Sequence, residues 1–311
     1  MSRPTSSSLL ALRDRIRLIE QPARHGVLPF GVASLDLSLP GGGLARDAVH
    51  QITGAGGDEE DGAAAAGFAA GILARLDPLT VIPGQRVALG PEPMNTDLSP
   101  DFTGPCSRAP GSLATFAPRN DDPPKANGYG PVLWCLRRPD LYGPGLLAHG
   151  LDPARLVLVE ARRDEEILWA VEEGLRTGVT AGLAAVVGEI GQLPMVAGRR
   201  LQLAAERSGV IALILRRWRN AAEAAAERDR PSAALTRWRV AALPSADRAG
   251  ELGIGRSRWR VELRRARGGV PGIWDVEVAD ATGHVSLSAE LADRPAAPAR
   301  LRAEPARRRA G

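Results

Sequence analysis

The sequence predicts an α/β fold: a mostly parallel sheet flanked by helices and extended by C-terminal antiparallel strands. Three observations predict it. Continuous apolar runs such as "LAAVVGEI" and "VIALILRRW" alternate with amphipathic stretches, the pattern of buried parallel strands joined by crossover helices. The run "AVHQI" leads through a glycine-rich turn directly into an alanine-rich helix. From Leu235 onward the helical period is lost, and "LTRWRV", "RWRVELRR", "IWDVEVAD" and "HVSLS" read as successive antiparallel strands.

The elements follow in order. Residues 8–20, "SLLALRDRIRLIE", set Leu9, Leu12, Ile16 and Ile19 at helical spacing, so residues 1–25 are expected to form an amphipathic N-terminal helix. The turn-rich "LPFGVASLDLSLPGGGL" comes next, then the strand "AVHQI". Beyond the turn, Phe68, Ile72, Leu73 and Leu76 make the buried stripe of a helix. Residues 77–130 hold ten of the chain's 25 prolines and keep no hydrophobic period. They are expected to be a disordered excursion interrupting a domain that spans residues 26–293. Order resumes with "PVLWCLRRPDLYGPGLLAHGL" and the strand "RLVLVE". A helix is expected to begin near Asp164, capped by that side chain, with Glu165 and Glu166 suiting its first turn. Its apolar face is Ile167, Leu168, Val171 and Leu175. Another helix, from about Met195 to Ser208, is expected to end at Gly209.

Composition narrows the function classes. The chain has 311 residues, of which 44% are hydrophobic, enough for a substantial core. Its two cysteines, Cys106 and Cys135, are far apart, so no disulfide framework or CxxC metal site is implied. Histidines 25, 50, 149 and 284 show no ligand-like spacing. No run of about 18 apolar residues occurs, so a soluble, cytoplasmic protein without membrane contact is expected. Of the 40 basic residues, Lys125 is the one lysine. The tail 294–311, "RPAAPARLRAEPARRRAG", carries six arginines against Glu304, a net of +5. Set against +4 for the whole chain, that leaves −1 before Arg294. The basic character belongs to the tail, and the body has no overall attraction for nucleic acid.

The ordered series "LPFGVASLDLSLPGGGL", "VHQITG", "LWCLRRPDLYGPGLLAHGLDPARLVLVE", "GLAAVVGEI", "RRLQLAAERSGVIALILRRW" and "PSAALTRWRV" resembles the ImuA family. Members are RecA-like proteins encoded with bacterial SOS mutagenesis cassettes. The resemblance covers residues 9–76 and 131–293 and departs from the family at 77–130. It implies a RecA-like core, so the nucleotide-handling positions can be tested against chemistry.

A working phosphate loop reads GxxxxGK[ST]. Its backbone N–H groups hold the phosphates, lysine neutralises their charge and the hydroxyl binds Mg²⁺. In "ITGAGGDEEDGAAAA" the glycine spacing fits at Gly57 and Gly62, but Ala63 and Ala64 stand where lysine and Ser/Thr belong. Asp58, Glu59, Glu60 and Asp61 fill the loop. An acid about 6 Å from a phosphate charge is repelled by roughly 0.7 kcal/mol in water and roughly 3 kcal/mol at an effective dielectric of 20. The turn is therefore read as a solvated acidic turn that ends a strand and caps a helix. Glu189, near where the resemblance would place a Mg²⁺-binding carboxylate, is read as a strand-end cap or ion pair. Arg137, Arg138 and Pro139 occupy the neighbourhood expected of a catalytic glutamate, with Asp140 out of place. No catalytic residue, cofactor or metal is expected.

DNA contact is expected to be weak. The segment "RNAAEAAAERDRP", expected as a loop, balances Arg219, Arg228 and Arg230 against Glu223, Glu227 and Asp229, and offers no aromatic for a base to stack on. "RWR" occurs three times, around Trp218, Trp238 and Trp259. At period two, Trp259, Val261 and Leu263 share one strand face and Arg258, Arg260, Glu262 and Arg264 the other, so the tryptophans are expected in the core. Cys135 is expected to be inert and His50 to be a satisfied strand histidine.

The resemblance implies an adaptor working with ImuB (a Y-family polymerase-like protein) and an error-prone C-family DNA polymerase in translesion synthesis, with RecA as a further candidate partner. Candidate contact residues are Arg137, Arg138, Arg216, Arg217 and Arg219, with Arg307, Arg308 and Arg309 in the tail. Alternatives are a SulA-like cell-division inhibitor, an ATP-dependent recombinase relative and a nucleic-acid binder acting through the tail.

Overall fold

The computed structural model describes residues 25–76, 130–178, 180–227, 230–245 and 256–288. The helix expected over residues 8–20, the proline-rich stretch up to residue 129, and the tail with Arg307, Arg308 and Arg309 lie outside the described residues.

The described residues begin with β1 (Val27–Leu28), α1 (Ala33–Asp36), β2 (Leu44–Ala45) and β3 (Val49–Gly54), where β1 and β2 pair antiparallel. After the acidic turn come α2 (Ala63–Ala74), β4 (Val132–Leu136), α3 (Gly143–Ala148), β5 (Leu156–Glu160) and α4 (Asp164–Thr177). There follow β6 (Ala185–Ile190), α5 (Met195–Ser208), β7 (Ile211–Arg216) and α6 (Ala221–Glu227). The last elements are β8 (Thr236–Leu243), β9 (Arg258–Ala266), β10 (Gly272–Glu277) and β11 (Ser286–Leu287).

Among the described residues nine strands form one sheet, in the order β11-β10-β9-β8-β3-β7-β6-β4-β5. Pairing is parallel from β5 through β8 and antiparallel from β8 to β11. This is the mixed sheet the sequence predicts. The central strand β3 lies between β7 and β8, which come much later in the chain, so the carboxyl end of β3 is a place where ligands commonly bind in α/β sheets.

Strand alternation divides the core between the two faces of the sheet. On one face Ile52, Trp134, Leu213 and Trp238 meet Phe68, Ile72 and Leu73 of α2. On the other, Val49, Cys135, Val186 and Ile214 meet Ile167 and Val171 of α4 and Leu201 and Ala205 of α5. Phe30 stacks on Phe68 at 5.8 Å, and Trp238 tilts over both at 5.4 and 5.7 Å. Trp259 is also buried, and Arg260 on the opposite strand face is bound to Asp275. The period-two reading of the tryptophans holds.

Two local expectations are corrected. Asp164 does not cap α4; it is the first helical residue, and its Oδ2 accepts from Gly191 N and Gln192 N, both at 3.0 Å. The entry to α4 is instead held by Glu166 Oε2, accepting from Arg162 N and Arg163 N. The segment "RNAAEAAAERDRP", expected as a loop, contains α6. Its alanines favour helix, and Asn220 Oδ1 accepts from Glu223 N at 2.9 Å at its start. Gly209 closes α5 with φ +71, the left-handed conformation glycine tolerates.

Candidate functional site

The turn after β3 is one of alternating environments. Asp58 and Asp61, three apart and so on one side of a helical turn, point inward, while Glu59 and Glu60 are exposed. Asp61 Oδ2 accepts from Gly56 N at 2.7 Å and its Oδ1 from Ala242 N at 2.8 Å, tying the turn to itself and to β8. The expectation of a solvated acidic turn is corrected: half of its carboxylates serve as internal hydrogen-bond acceptors. The glycines make room for them. A Cβ at Gly54 would stand 3.1 Å from Asp61 Cβ, and one at Gly62 would collide with Asp58 Oδ1. Gly57 lies against the backbone of Arg219 and Asn220, where a Cβ would stand 3.1 Å from Asn220 Cα. The backbone N–H of Asp58 donates to Trp218 O at 2.8 Å.

Arg217, just past the end of β7, holds the centre. Its Nε and Nη2 donate to Asp58 Oδ1 and Oδ2 at 2.8 and 2.6 Å. Nη1 and Nη2 donate to the two Asp140 oxygens, each at 2.8 Å. Nη1 also reaches Glu189 Oε2 at 2.7 Å, while Glu189 Oε1 accepts from Trp134 Nε1 at 2.8 Å. Turn, β4 exit, β6 end and β7 end are thus joined through one guanidinium. Burial alone would weaken the Arg217 charge, but hydrogen bonds to Asp140 and Asp58 and the Glu189 charge hold its pKa above the ordinary arginine value. The hydrogen bond from Arg217 holds the Asp140 carboxyl low. Burial raises that of Glu189, which Arg217 and Trp134 only partly offset.

A cavity of about 330 Å³ lies on one side of this cluster, bordered by Gly67, Tyr142, Leu146 and His149. A wider groove of about 890 Å³ lies on the other, bordered by Arg137, Arg138, Leu168, Pro194 and Ala226. Asp58, Glu189, Arg217 and Trp218 line both, so the cluster is the wall between them. With three carboxylates to one guanidinium the cluster is formally negative, while the groove beside it also carries Arg137, Arg138, Arg163, Arg219 and Arg230. Among the described residues no group of three or more His, Cys, Asp and Glu side chains is arranged to hold a metal ion.

The candidate residues fall into distinct environments. Gly57, before the acidic turn, is buried and Gly62, at its end, half-buried; Ala63, exposed, and Ala64, 7% exposed, begin α2. Arg216 is 5% exposed; its Nε and Nη2 donate to Gly191 O at 3.1 and 2.7 Å, and its guanidinium stands 5.5 Å from the Trp218 ring centre. Arg216 therefore sits inside the protein, whereas the Arg217 side chain stays 27% exposed between the cavity and the groove. Arg137 is exposed and lies 3.3 Å from Asp164 Oδ1. Arg138 is exposed. Arg219 is exposed and paired with Glu223. Asp140, out of place in the sequence, is brought to the cluster by the path of the chain after β4. Asp61 and Trp134 were not singled out at all. The three-residue spacing of Asp58 and Asp61 is the one sequence signal that distinguishes them from Glu59 and Glu60.

Fold and site together define an α/β protein in which a strand–glycine turn–helix element, at the carboxyl edge of a parallel sheet, is closed by its own carboxylates and an arginine. No family model matches the chain. It is 36% identical over 280 residues to Protein ImuA of Caulobacter vibrioides strain NA1000 / CB15N, an alignment covering 88% of this chain and 93% of the relative. The same figures hold for Protein ImuA of strain ATCC 19089 / CIP 103742 / CB 15. The chain belongs to the ImuA family.

Proposed function

We propose that this protein is a non-catalytic, RecA-like adaptor of the SOS-induced mutagenic translesion machinery in the cytoplasm, acting with ImuB and an error-prone C-family DNA polymerase. RecA is a further candidate partner, and direct DNA contact is weak. The observation that carries the non-catalytic reading is the closure of the turn. The Asp58 N–H is bound to Trp218 O, its carboxylate is bound to Arg217, and Gly57 is pressed against the backbone of residues 219 and 220. In a phosphate loop those N–H groups and that space belong to the nucleotide. Glu189, the nearest candidate for Mg²⁺, has both oxygens engaged by Trp134 and Arg217. What remains available is surface, of which exposed Arg137, Arg138 and Arg219 are the leading part.

The test has two arms. Calorimetry of the pure chain with a nucleoside triphosphate and Mg²⁺ is expected to give no saturable heat, and a triphosphate lodged against Gly57–Ala64 would overturn the non-catalytic reading. Co-purification with ImuB is expected to succeed with the native chain and to weaken on reversing Arg137 and Arg138. A chain ending at Asp293 assigns the tail: unchanged ImuB capture and DNA retention would remove Arg307, Arg308 and Arg309 from the account.

A further inference from the structure

Helices α4 and α5 lie side by side on one face of the sheet, burying Ile167, Val171 and Leu175 beside Leu201, Ala204 and Ala205. Each follows a parallel strand and returns toward the start of the next, so the two helices run in the same direction. They are bridged by the Glu172–Arg200 ion pair. Their outward surfaces are unusual for a solvent face. Trp169 on α4 is 67% exposed, and on α5 Val196 is 70% and Leu203 53% exposed. Val196 and Leu203 are seven residues apart, two turns along one stripe of α5, with the gap between them facing outward.

The charge on this surface is divided by helix. The exposed part of α4 carries Glu165 and Glu173 on either side of Trp169 with Arg176 beyond them, while that of α5 carries Arg199, Arg200 and Arg207 around Leu203 with Glu206 among them, so α4 is net acidic and α5 net basic. A parallel pair of helices, one acidic and one basic, has one two-fold arrangement that satisfies both. An axis running along the helices lays the acidic helix of each copy on the basic helix of the other. The same rotation brings Trp169 of one copy over the stripe between Val196 and Leu203 of its mate. A two-fold axis across the helices would instead set glutamate on glutamate. Apolar anchors and charge pattern therefore select the same geometry.

We propose that the α4–α5 face is a self-association surface, through which two copies of this chain form an isologous dimer with Trp169 as its central anchor. The inference does not rest on the adaptor reading. If both hold, each assembly presents two copies of every partner-binding surface. Fourteen-residue helices are about 21 Å long and pack about 10 Å apart, giving a face roughly 20 Å square, about 800 Å² over the two copies. That is below the ~1,200 Å² of standard specific interfaces and in the range of weak, transient ones. The dimer is thus concentration-dependent.

Sedimentation of the full chain over a concentration series, from roughly micromolar to a hundredfold higher, tests this. The native chain is expected to shift from monomer to dimer, and Trp169→Ser or Leu203→Gln to raise the dissociation constant at least about tenfold while circular dichroism stays unchanged. Reversing Glu165 and Glu173 to arginine is expected to weaken association, and adding Arg199→Glu and Arg207→Glu to the same chain is expected to restore it. A native chain that stays monomeric throughout overturns the proposal. So does a dimer indifferent to the Trp169 and Leu203 variants, or a four-fold charge exchange that fails to restore what the glutamate reversals removed.

Discussion

Arg217 and Asp58 are 159 positions apart in sequence and meet in a two-pronged ion pair, Nε to Oδ1 at 2.8 Å and Nη2 to Oδ2 at 2.6 Å. The pair fastens the end of β7 to the turn after β3, and Glu189 and Asp140 share the same guanidinium. The result is a junction at the carboxyl ends of the central strands, built from three carboxylates around one guanidinium.

Arg217→Ala is expected to destabilise the protein by about 3 kcal/mol, because it leaves Glu189, 3% exposed, without its cation. Denaturant unfolding measures the loss. Arg217→Ala combined with Glu189→Gln is expected to recover part of it, since the buried charge then disappears with its partner.

Installing the missing lysine is expected not to create a nucleotide site. Ala63 is exposed, so Ala63→Lys folds, but the turn remains lined by Asp58 and pressed against residues 219 and 220. Calorimetry with a nucleoside triphosphate and Mg²⁺ should remain silent. Saturable binding by this single variant would show that the lysine alone had been limiting.

Asp61→Ala is expected to cost on the order of 3 kcal/mol, since it strips acceptors from the N–H groups of Gly56 and Ala242 at once. Glu60→Ala, an exposed neighbour, should change stability by less than about 0.5 kcal/mol. Equal effects at the two positions would contradict the inward and outward division of the turn.

Stability should also fall in mild acid through His50. Its Nε2 donates to Ala45 O at 2.8 Å, so in the neutral ring Nδ1 accepts from the Thr236 hydroxyl, also at 2.8 Å. Burial lowers its pKa from 6.5 to about 4. The unfolded chain therefore takes up a proton at a pH where the folded one refuses it. The His50 contribution is complete above pH 6.5 and is lost as pH falls toward about 4, a total of about 3 kcal/mol. Urea unfolding at a series of pH values reads the slope, which His50→Gln should flatten over that interval.

Arg138→Glu is expected to leave unfolding unchanged within about 0.5 kcal/mol, because its side chain is exposed. Its expected effect is on partner capture. Arg216→Glu is the contrast: Arg216 is 5% exposed and bound to Gly191 O, so reversal should disrupt the carboxyl ends of β6 and β7 and lower the melting temperature. Capture experiments on Arg216 and Arg217 variants therefore need a stability measurement beside them.

The sheet was legible because its signals are local. Val49 to Gly54, Ala185 to Ile190 and Ile211 to Arg216 are continuous apolar runs, and such runs are buried wherever a parallel sheet forms. The Trp238 and Trp259 assignments followed equally from period two. Asp164 and α6 were misread because a cap depends on which neighbour reaches the helix end first, and an alanine-rich charged stretch gives no apolar period to detect.

The amino-acid order by itself determined the α/β class, the strand positions, the family likeness, and the lack of lysine and hydroxyl after Gly62. Each of these depends on residue type and spacing along a few turns of chain. The tertiary structure alone decided that Asp58 and Asp61 point inward, and that Asp58, Asp140 and Glu189 share the one guanidinium of Arg217. Those contacts join segments 28 to 159 residues apart. Only Glu189, 3% exposed, is deeply buried there, Asp140 keeping 43% of its side chain exposed, and no local pattern records which acid is which.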